Sequence, residues 1–273
     1  MGLDIATNIM AQDASNALSI NETNMTNSLD KLSSGYRINK AADDASGLVI
    51  SQHLQSQIGG FQQAQANTQS AINVVQTADG ALNEVGTILQ RINTLAVEAA
   101  NTTATDPTAQ AAAQDEVNQS LASLDDIANT TVYGNQQLLT GSGGTVTFNF
   151  QVGADSTTFS QVGFTFTALS VSGLGLNSFT VGSATAISTV TAAINTVSAL
   201  RGTLGAYQNE LQHISDNEGV MVQNLQASNA QIQDTNMASE MSMFTQDQVL
   251  VQAGVSMLAQ ANQIPDYVLK LLG

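Results

Sequence analysis

From Gln248 to Ile264 the chain runs without a charged side chain, yet its apolar residues fall into rows rather than a block. Leu250, Gly254, Met257, Ala261, Ile264, Val268 and Leu271 follow one another in alternating steps of four and three, the spacing of a coiled-coil seam. A second row, Met241, Phe244, Val251, Val255 and Leu258, lies beside it. Gln252, Gln260, Asn262 and Gln263 interrupt the stretch too often for a membrane span, so no membrane is expected as a partner. A helix apolar around that much of its circumference needs neighbours on more than one side. A chain rarely supplies them at its own end, where termini fray. The stretch therefore reads as a helix that meets other copies of the same chain.

Composition narrows the alternatives. The 273 residues suffice for one or two domains with a sizeable core. Formal charge is -16, and the basic residues Lys31, Arg37, Lys40, Arg91, Arg201 and Lys270 are scattered. There is no basic patch to displace counterions from a phosphate backbone, so nucleic acid is not an expected partner. Cysteine is absent, which removes thiolate metal sites and disulfides. His53 and His213 are the available imidazoles, each inside a predicted helix, and no HExxH, EF-hand, P-loop or GxSxG motif occurs. No cofactor, no metal and no enzymatic activity are expected. The N-terminal stretch MGLDIATNIMAQDASNALSI has neither the basic region nor the unbroken apolar run of a cleaved secretory signal. A protein of this kind stays inside or leaves by a route that reads no such signal.

Along the chain, the residues up to about Leu32 read as a helix with Ala11, Ala14, Leu18, Met25, Leu29 and Leu32 on one face. Its Asn and Thr content makes it marginal alone, so it needs a partner helix. The pattern breaks at Ser33, Ser34 and Gly35, and Tyr36 to Ala42 reads as an extended connector, after which Asp43 or Asp44 caps the next helix. Leu54, Ile58, Phe61, Ile72, Val75, Leu82, Val85, Leu89, Ile92, Ala96 and Ala99 signal a long helix. Unbroken, it would reach roughly 80 Å, with Gly59, Gly60, Gly80 and Gly86 as weak points. Pro107 opens a further helix to about Asn129. The period then changes to two at Val146, Phe148, Phe150 and Val152 and again at Phe164 and Phe166, which predicts a small hairpin region. Helical spacing returns near Val190 and continues to Ile232. The expected fold is mainly α: a long antiparallel helical rod and terminal coiled-coil helices, with a small β-hairpin region in the middle. The two chain ends are expected together, at one end of the molecule.

Several of these stretches resemble a known family. Leu32 to Ile50, LSSGYRINKAADDASGLVI, resembles the N-terminal signature of bacterial flagellins, and Leu89 to Asn101, LQRINTLAVEAAN, resembles the family's following helix. FQVGAD from Phe150 to Asp155 is similar to the first strand after the rod. LGAYQNEL from Leu204 to Leu211 and VQAGVSMLAQANQIPDYVLKLL from Val251 to Leu272 are similar to the C-terminal signature. The resemblance implies a structural subunit that polymerises into the helical filament of the flagellum. It implies a terminal domain D0, made of a helix over 1–34 and a connector and helix over 235–273. A connector over 35–44 leads to D1, whose N-terminal part is 45–182 and whose C-terminal rod helix is 183–234. The stretch between the rod helices is short, so the resemblance is to a near-minimal member. Glu210, Gln233 and Asn236 depart from the family's usual residues, which affects particular lateral ion pairs.

The resemblance also implies partners and contact residues. The assembly seam is assigned to Leu250, Met257, Ile264, Val268 and Leu271, with Phe244, Val255 and Leu258 beside it and Leu18, Leu29 and Leu32 on the N-terminal helix. Implied partners are further copies in a helical homopolymer, hook-associated junction and cap proteins, and an export chaperone at the C-terminal helix. The route implied is the flagellar type III apparatus, and the location the extracellular filament. Arg91, Leu95 and Glu116 fall where the family contacts a vertebrate Toll-like receptor, while Asn93 and Thr94 replace charged neighbours. Ser156, Thr157, Thr158 and Ser160 would be the place for O-linked sugar. Competing readings are a hook-filament junction protein, a soluble coiled-coil adaptor, and an enzyme carried on the rod. The full LAQANQIP stretch argues for the main subunit over the junction protein. The inserted region offers Asp155 as its one acid, too little for paired acid-base work.

Overall fold

The structure, a computed structural model, describes residues 8–101, 106–140, 144–155, 157 and 160–272, with side chains as far as residue 264. Among the described residues, five helices and two small hairpins follow one another. They are α1 (Ile9–Ser34), α2 (Ala45–Ala99), α3 (Pro107–Thr130), β1 (Val132–Tyr133), β2 (Gln136–Gln137), β3 (Thr145–Gln151), β4 (Gln161–Thr167), α4 (Ala186–Gln233) and α5 (Met237–Leu272). The chain divides into two compact units, one of residues 1–57 with 224–273 and one of residues 58–223. The predicted mainly helical fold is what the structure has. Ser156 and Thr158 of the expected sugar-bearing loop lie outside the described residues.

In the second unit, α2 carries a continuous heptad. Ala71, Val75, Ala78, Leu82, Val85, Leu89, Ile92, Ala96 and Ala99 are all buried, in steps of four and three. Facing rows come from α4, through Val190, Ala193, Val197, Leu204 and Leu211, and from α3, through Val117, Leu124 and Ala128. Asp106 caps α3 by accepting from Thr108 N at 3.4 Å, and Pro107 takes the first turn, where its missing N–H costs nothing.

The β3–β4 hairpin adds an aromatic layer. Antiparallel pairing sets Val146 opposite Phe166 and Phe148 opposite Phe164, with the Phe148 and Phe164 rings 5.0 Å apart. Phe164 also lies 5.0 Å from the Tyr207 ring of α4, so the hairpin's apolar face closes over the helices while Thr147 and Thr165 remain outside. The irregular segment after β4 is pinned by α3. Gln114 accepts from Val181 N at 2.8 Å and donates to Phe179 O at 3.1 Å, and Asp125 accepts from Val171 N at 3.1 Å. Leu169, Leu174, Leu176 and Val181 are thereby held in the core.

The four glycines expected to weaken α2 do not interrupt it. Packing sustains the helix, since the buried heptad continues past Gly80 and Gly86. Gly60 has a packing role, because a Cβ there would lie 2.7 Å from the Ala154 Cβ, whereas Gly59, Gly80 and Gly86 face open space. Among the described residues no helix is long and apolar enough to cross a membrane.

One carboxyl sits inside the helical seam. Glu218 of α4 is 3% exposed, accepts from Thr68 Oγ1 at 3.2 Å, and leaves its other oxygen without a partner. Burial raises its pKa above the ordinary carboxyl value, partly opposed by the Thr68 hydrogen bond. A raised folded pKa means that this group favours folding below the unfolded value and loses that contribution as pH rises through the folded one. Glu218→Gln is expected to raise the thermal midpoint at pH 7, the gain shrinking as pH falls towards the range where the unfolded carboxyl protonates. Melting curves of both proteins across that range measure it. In the same assay Gly80→Ala is expected to stabilise by about 0.5–1 kcal/mol, as helix propensity dictates at an open position, and Gly60→Ala to give none of that gain.

Candidate assembly interface

α1 and α5 form an antiparallel pair. Asn8, the N-cap of α1, accepts from Ala11 N at 3.1 Å and donates its side-chain amide to Ala261 O at 2.9 Å. Midway, Leu18 meets Gly254, where an added Cβ would stand 3.3 Å from Leu18 Cδ1. At the other end Lys31 lies 4.0 Å from Glu240. The covered positions on α1 are Ala11, Ala14, Leu18, Asn21, Met25 and Ser28, and on α5 Glu240, Phe244, Asp247, Val251, Gly254, Leu258 and Ala261. Both sets step by three and four, as a two-helix seam requires.

The seam within the chain thus differs from either apolar row read in the sequence. It takes Gly254 and Ala261 from the first row and Phe244, Val251 and Leu258 from the second. At Gly254 and Ala261 the physical reason is size, because a small residue there makes room for a bulky side chain of α1 such as Leu18. Met257 is 63% exposed, and Val249, Val255 and Leu250 on α5, with Ile9, Ile20 and Leu29 on α1, are exposed as well. Of the residues expected at the assembly seam, Leu18, Phe244 and Leu258 pack in the intrachain pair, and Leu32 and Ile264 are half-buried. Leu29, Leu250, Val255 and Met257 are free to meet something else. The side chains of Val268 and Leu271 lie outside the described residues.

Polar residues occupy one end of the seam. Asn24, Asn27, Ser28, Lys31, Glu240, Gln246 and Asp247 line a notch, and Glu240 is 5% exposed with the Lys31 ammonium as its facing cation. The apolar rows could not reveal this, because the polar residues hold heptad positions that a search for hydrophobic spacing passes over.

The connector between α1 and α2 is tied to the segment before α5. Gly35, at φ 76°, ends α1 and donates to Lys31 O at 2.9 Å, a left-handed cap that suits glycine. Thr235 N donates to Gly35 O at 3.0 Å, Arg37 N to Gln233 O at 2.6 Å, and Arg37 Nη2 to Ile232 O at 2.6 Å. Ile38 is buried behind them, and Gly47 leaves room for it, since a Cβ there would fall 2.6 Å from Ile38 Cδ1. The Asp pair divides the work. Asp44 caps α2 by accepting from Gly47 N at 2.9 Å. Asp43 accepts from Lys40 N at 2.8 Å and Asn39 N at 3.0 Å, bonds that hold its carboxyl below the usual range. Lys40 in turn reaches Asp30 at 2.7 Å. Ser51 donates to Gln233 Oε1 at 2.8 Å, which gives that side chain a structural partner.

The expected receptor contacts fall in the other unit. Arg91 of α2 and Glu116 of α3 form an ion pair at 2.6 Å, both partly exposed, whereas Leu95 is buried in the core. A partner meeting the folded chain there would touch the ion pair and not the Leu95 side chain.

Comparison with known proteins bears on what these exposed rows meet. Residues 5–143 match the family model described as bacterial flagellin N-terminal helical region, and residues 187–272 match bacterial flagellin C-terminal helical region. A flagellin of Halalkalibacterium halodurans is 41% identical over 269 residues, covering 97% of this chain and 98% of that protein. The flagellar filament 33 kDa core protein of Treponema phagedenis is 39% identical over 283 residues, with the same coverage. A crystal structure of Bacillus cereus flagellin aligns at 25% identity and a TM-score of 0.47, covering 56% of this chain and 88% of that one.

Met257→Asp places a charge on the open row, and Leu258→Asp places one in the intrachain pair. At an exposed position the first change is expected to cost the isolated chain less than about 0.5 kcal/mol while abolishing long polymers. The second is expected to loosen α1 from α5 before any association. Hydrogen exchange on the monomer and electron microscopy of each variant check the contrast.

Proposed function

The chain belongs to the bacterial flagellins, and from that membership we propose that the α1–α5 pair is the element through which its copies join. As a flagellin it is a structural subunit of the flagellar filament, an extracellular homopolymer that serves motility. The observation that carries the assignment is the set of large apolar side chains left uncovered on both terminal helices, Ile9, Ile20, Leu29, Val249, Val255 and Met257. Water-facing rows of this kind mark an interaction surface, and in a filament-forming family the partner is another copy.

The contact is heterologous: one face of the pair meets a different face of the next, so that addition continues without closing. Residues 1–34 and 235–273 act as the D0 part, and 45–182 with 183–234 as the D1 part. Leu250, Val255, Met257 and Leu29 face neighbouring subunits, while Leu18, Phe244 and Leu258 prepare the pair that presents them. The same apolar α5 surface, before assembly, suits an export chaperone on the type III route, and the finished filament is bounded by junction and cap proteins. Arg91 and Glu116 are the side chains through which a Toll-like receptor would meet the chain.

Each subunit carries a formal charge of -16, so stacking copies works against like-charge repulsion. Screening relieves it, the Debye length falling from about 30 Å at 0.01 M salt to about 8 Å at 0.15 M. Purified chain is therefore expected to polymerise faster, and at lower protein concentration, as monovalent salt rises over that interval. Light scattering follows the rate, and electron microscopy identifies the product. An end state of small closed oligomers at high concentration would count against the proposed role.

A further inference from the structure

The open rows carry most of the chain's described sulfur. Met10 on α1 and Met237, Met241, Met243 and Met257 on α5 are between 45% and 63% exposed, whereas Met25 is half-buried in the intrachain seam. Cysteine and tryptophan are both absent, so the thioethers are the side chains that a peroxide reaches first. Met237 and Met241 stand one turn apart on the same side of α5, Met243 borders the polar notch, and Met257 holds the centre of the apolar row that opens the chain's C-terminal pattern. On the assembly reading these are places where a flexible apolar side chain would meet a partner surface.

We propose that Met10, Met237, Met241, Met243 and Met257 form an oxidation-sensitive modification site: a hydroperoxide that reaches the unassembled chain converts them to sulfoxides and withholds that chain from polymerisation. The inference rests on the reading of the α1–α5 pair as the assembly element. In the reaction the thioether sulfur attacks the distal peroxide oxygen. An S–O bond forms, the O–O bond breaks, sulfur loses two electrons, and the peroxide leaves as water or an alcohol after proton transfer. The product is polar and carries a strong acceptor with no donor waiting for it in an apolar contact, which opposes burial. Once the contact is made, the same sulfurs are covered, so the assembled polymer resists the oxidant that disables its precursor.

The test treats purified monomer with graded hydrogen peroxide, removes the oxidant, and measures the critical concentration for polymerisation. Peptide mass spectrometry assigns each sulfoxide. Oxidised chain is expected to need at least about tenfold more protein to polymerise. Methionine sulfoxide reductase should restore it, and a variant with leucine at all five positions should stay within about twofold of its untreated value. Intact filaments should be oxidised more slowly at these five residues than monomer. Unchanged polymerisation with the five sulfoxides confirmed, or equal loss in the leucine variant, would overturn the inference while leaving the assembly reading intact. Failure of untreated chain to form filaments would overturn both. Should the leucine variant itself not assemble, the wild-type chain still decides. Chain left in the supernatant must then be enriched in the five sulfoxides over chain in the pellet, and equal content contradicts the proposal.

Discussion

The terminal unit depends on one packing arrangement: where α1 meets α5, small residues on one helix make room for large ones on the other. Gly254 and Ala261 on α5 and Ala11 and Ala14 on α1 occupy the seam beside Leu18, Met25, Phe244, Val251 and Leu258, and the missing side chain of Gly254 is what lets Leu18 pack onto the α5 backbone. The bulk that another helix pair would bury internally is left outside, on Ile20, Val249, Val255 and Met257. Such a pair is only partly satisfied by its own chain. In water its remaining apolar surface is a standing drive towards association.

The second unit shows the opposite arrangement. There α2 has partners on more than one side, from α4, α3 and the aromatic hairpin, and its heptad is covered from Ala71 to Ala99. Gln114 and Asp125 stitch the irregular segment across the remaining gap. One unit is closed by the chain itself, and the other leaves large apolar side chains uncovered. The buried carboxyl of Glu218 is tolerated in the closed unit because Thr68 supplies one hydrogen bond. Its companion Glu240 in the open unit is offset by Lys31.

Much of this was legible in the residues. Periodicity located every long helix to within a few residues, since heptads in α2, α4 and α5 recur too regularly for a strand or loop, and alternation located β3 and β4. Pro107 and Gly35 marked an entrance and an exit for reasons of backbone geometry. Less legible was which of two adjacent apolar rows on α5 turns to its own partner, because hydrophobicity alone ranks Met257 above Gly254 and close packing ranks them the other way. The polar notch at Ser28, Lys31 and Glu240 was hidden for the same reason, and the segment after β4 was hidden because side-chain hydrogen bonds rather than period hold it. The short β1–β2 hairpin, two residues a strand, lies below what alternation can register.

In the proposed assembly α5 divides its labour, with Gly254, Leu258 and Ala261 serving the chain's own α1 and Val249, Val255 and Met257 serving neighbouring copies. A helical reconstruction by electron cryo-microscopy of filaments grown from the purified chain tests it at the level of side chains. Leu18 is expected to remain against Gly254 of the same subunit, with Met257, Val255 and Ile20 covered by residues of other subunits. Filaments in which Met257 and Val255 face solvent, or in which α1 leaves its own α5 to pair with a neighbour's, would contradict it.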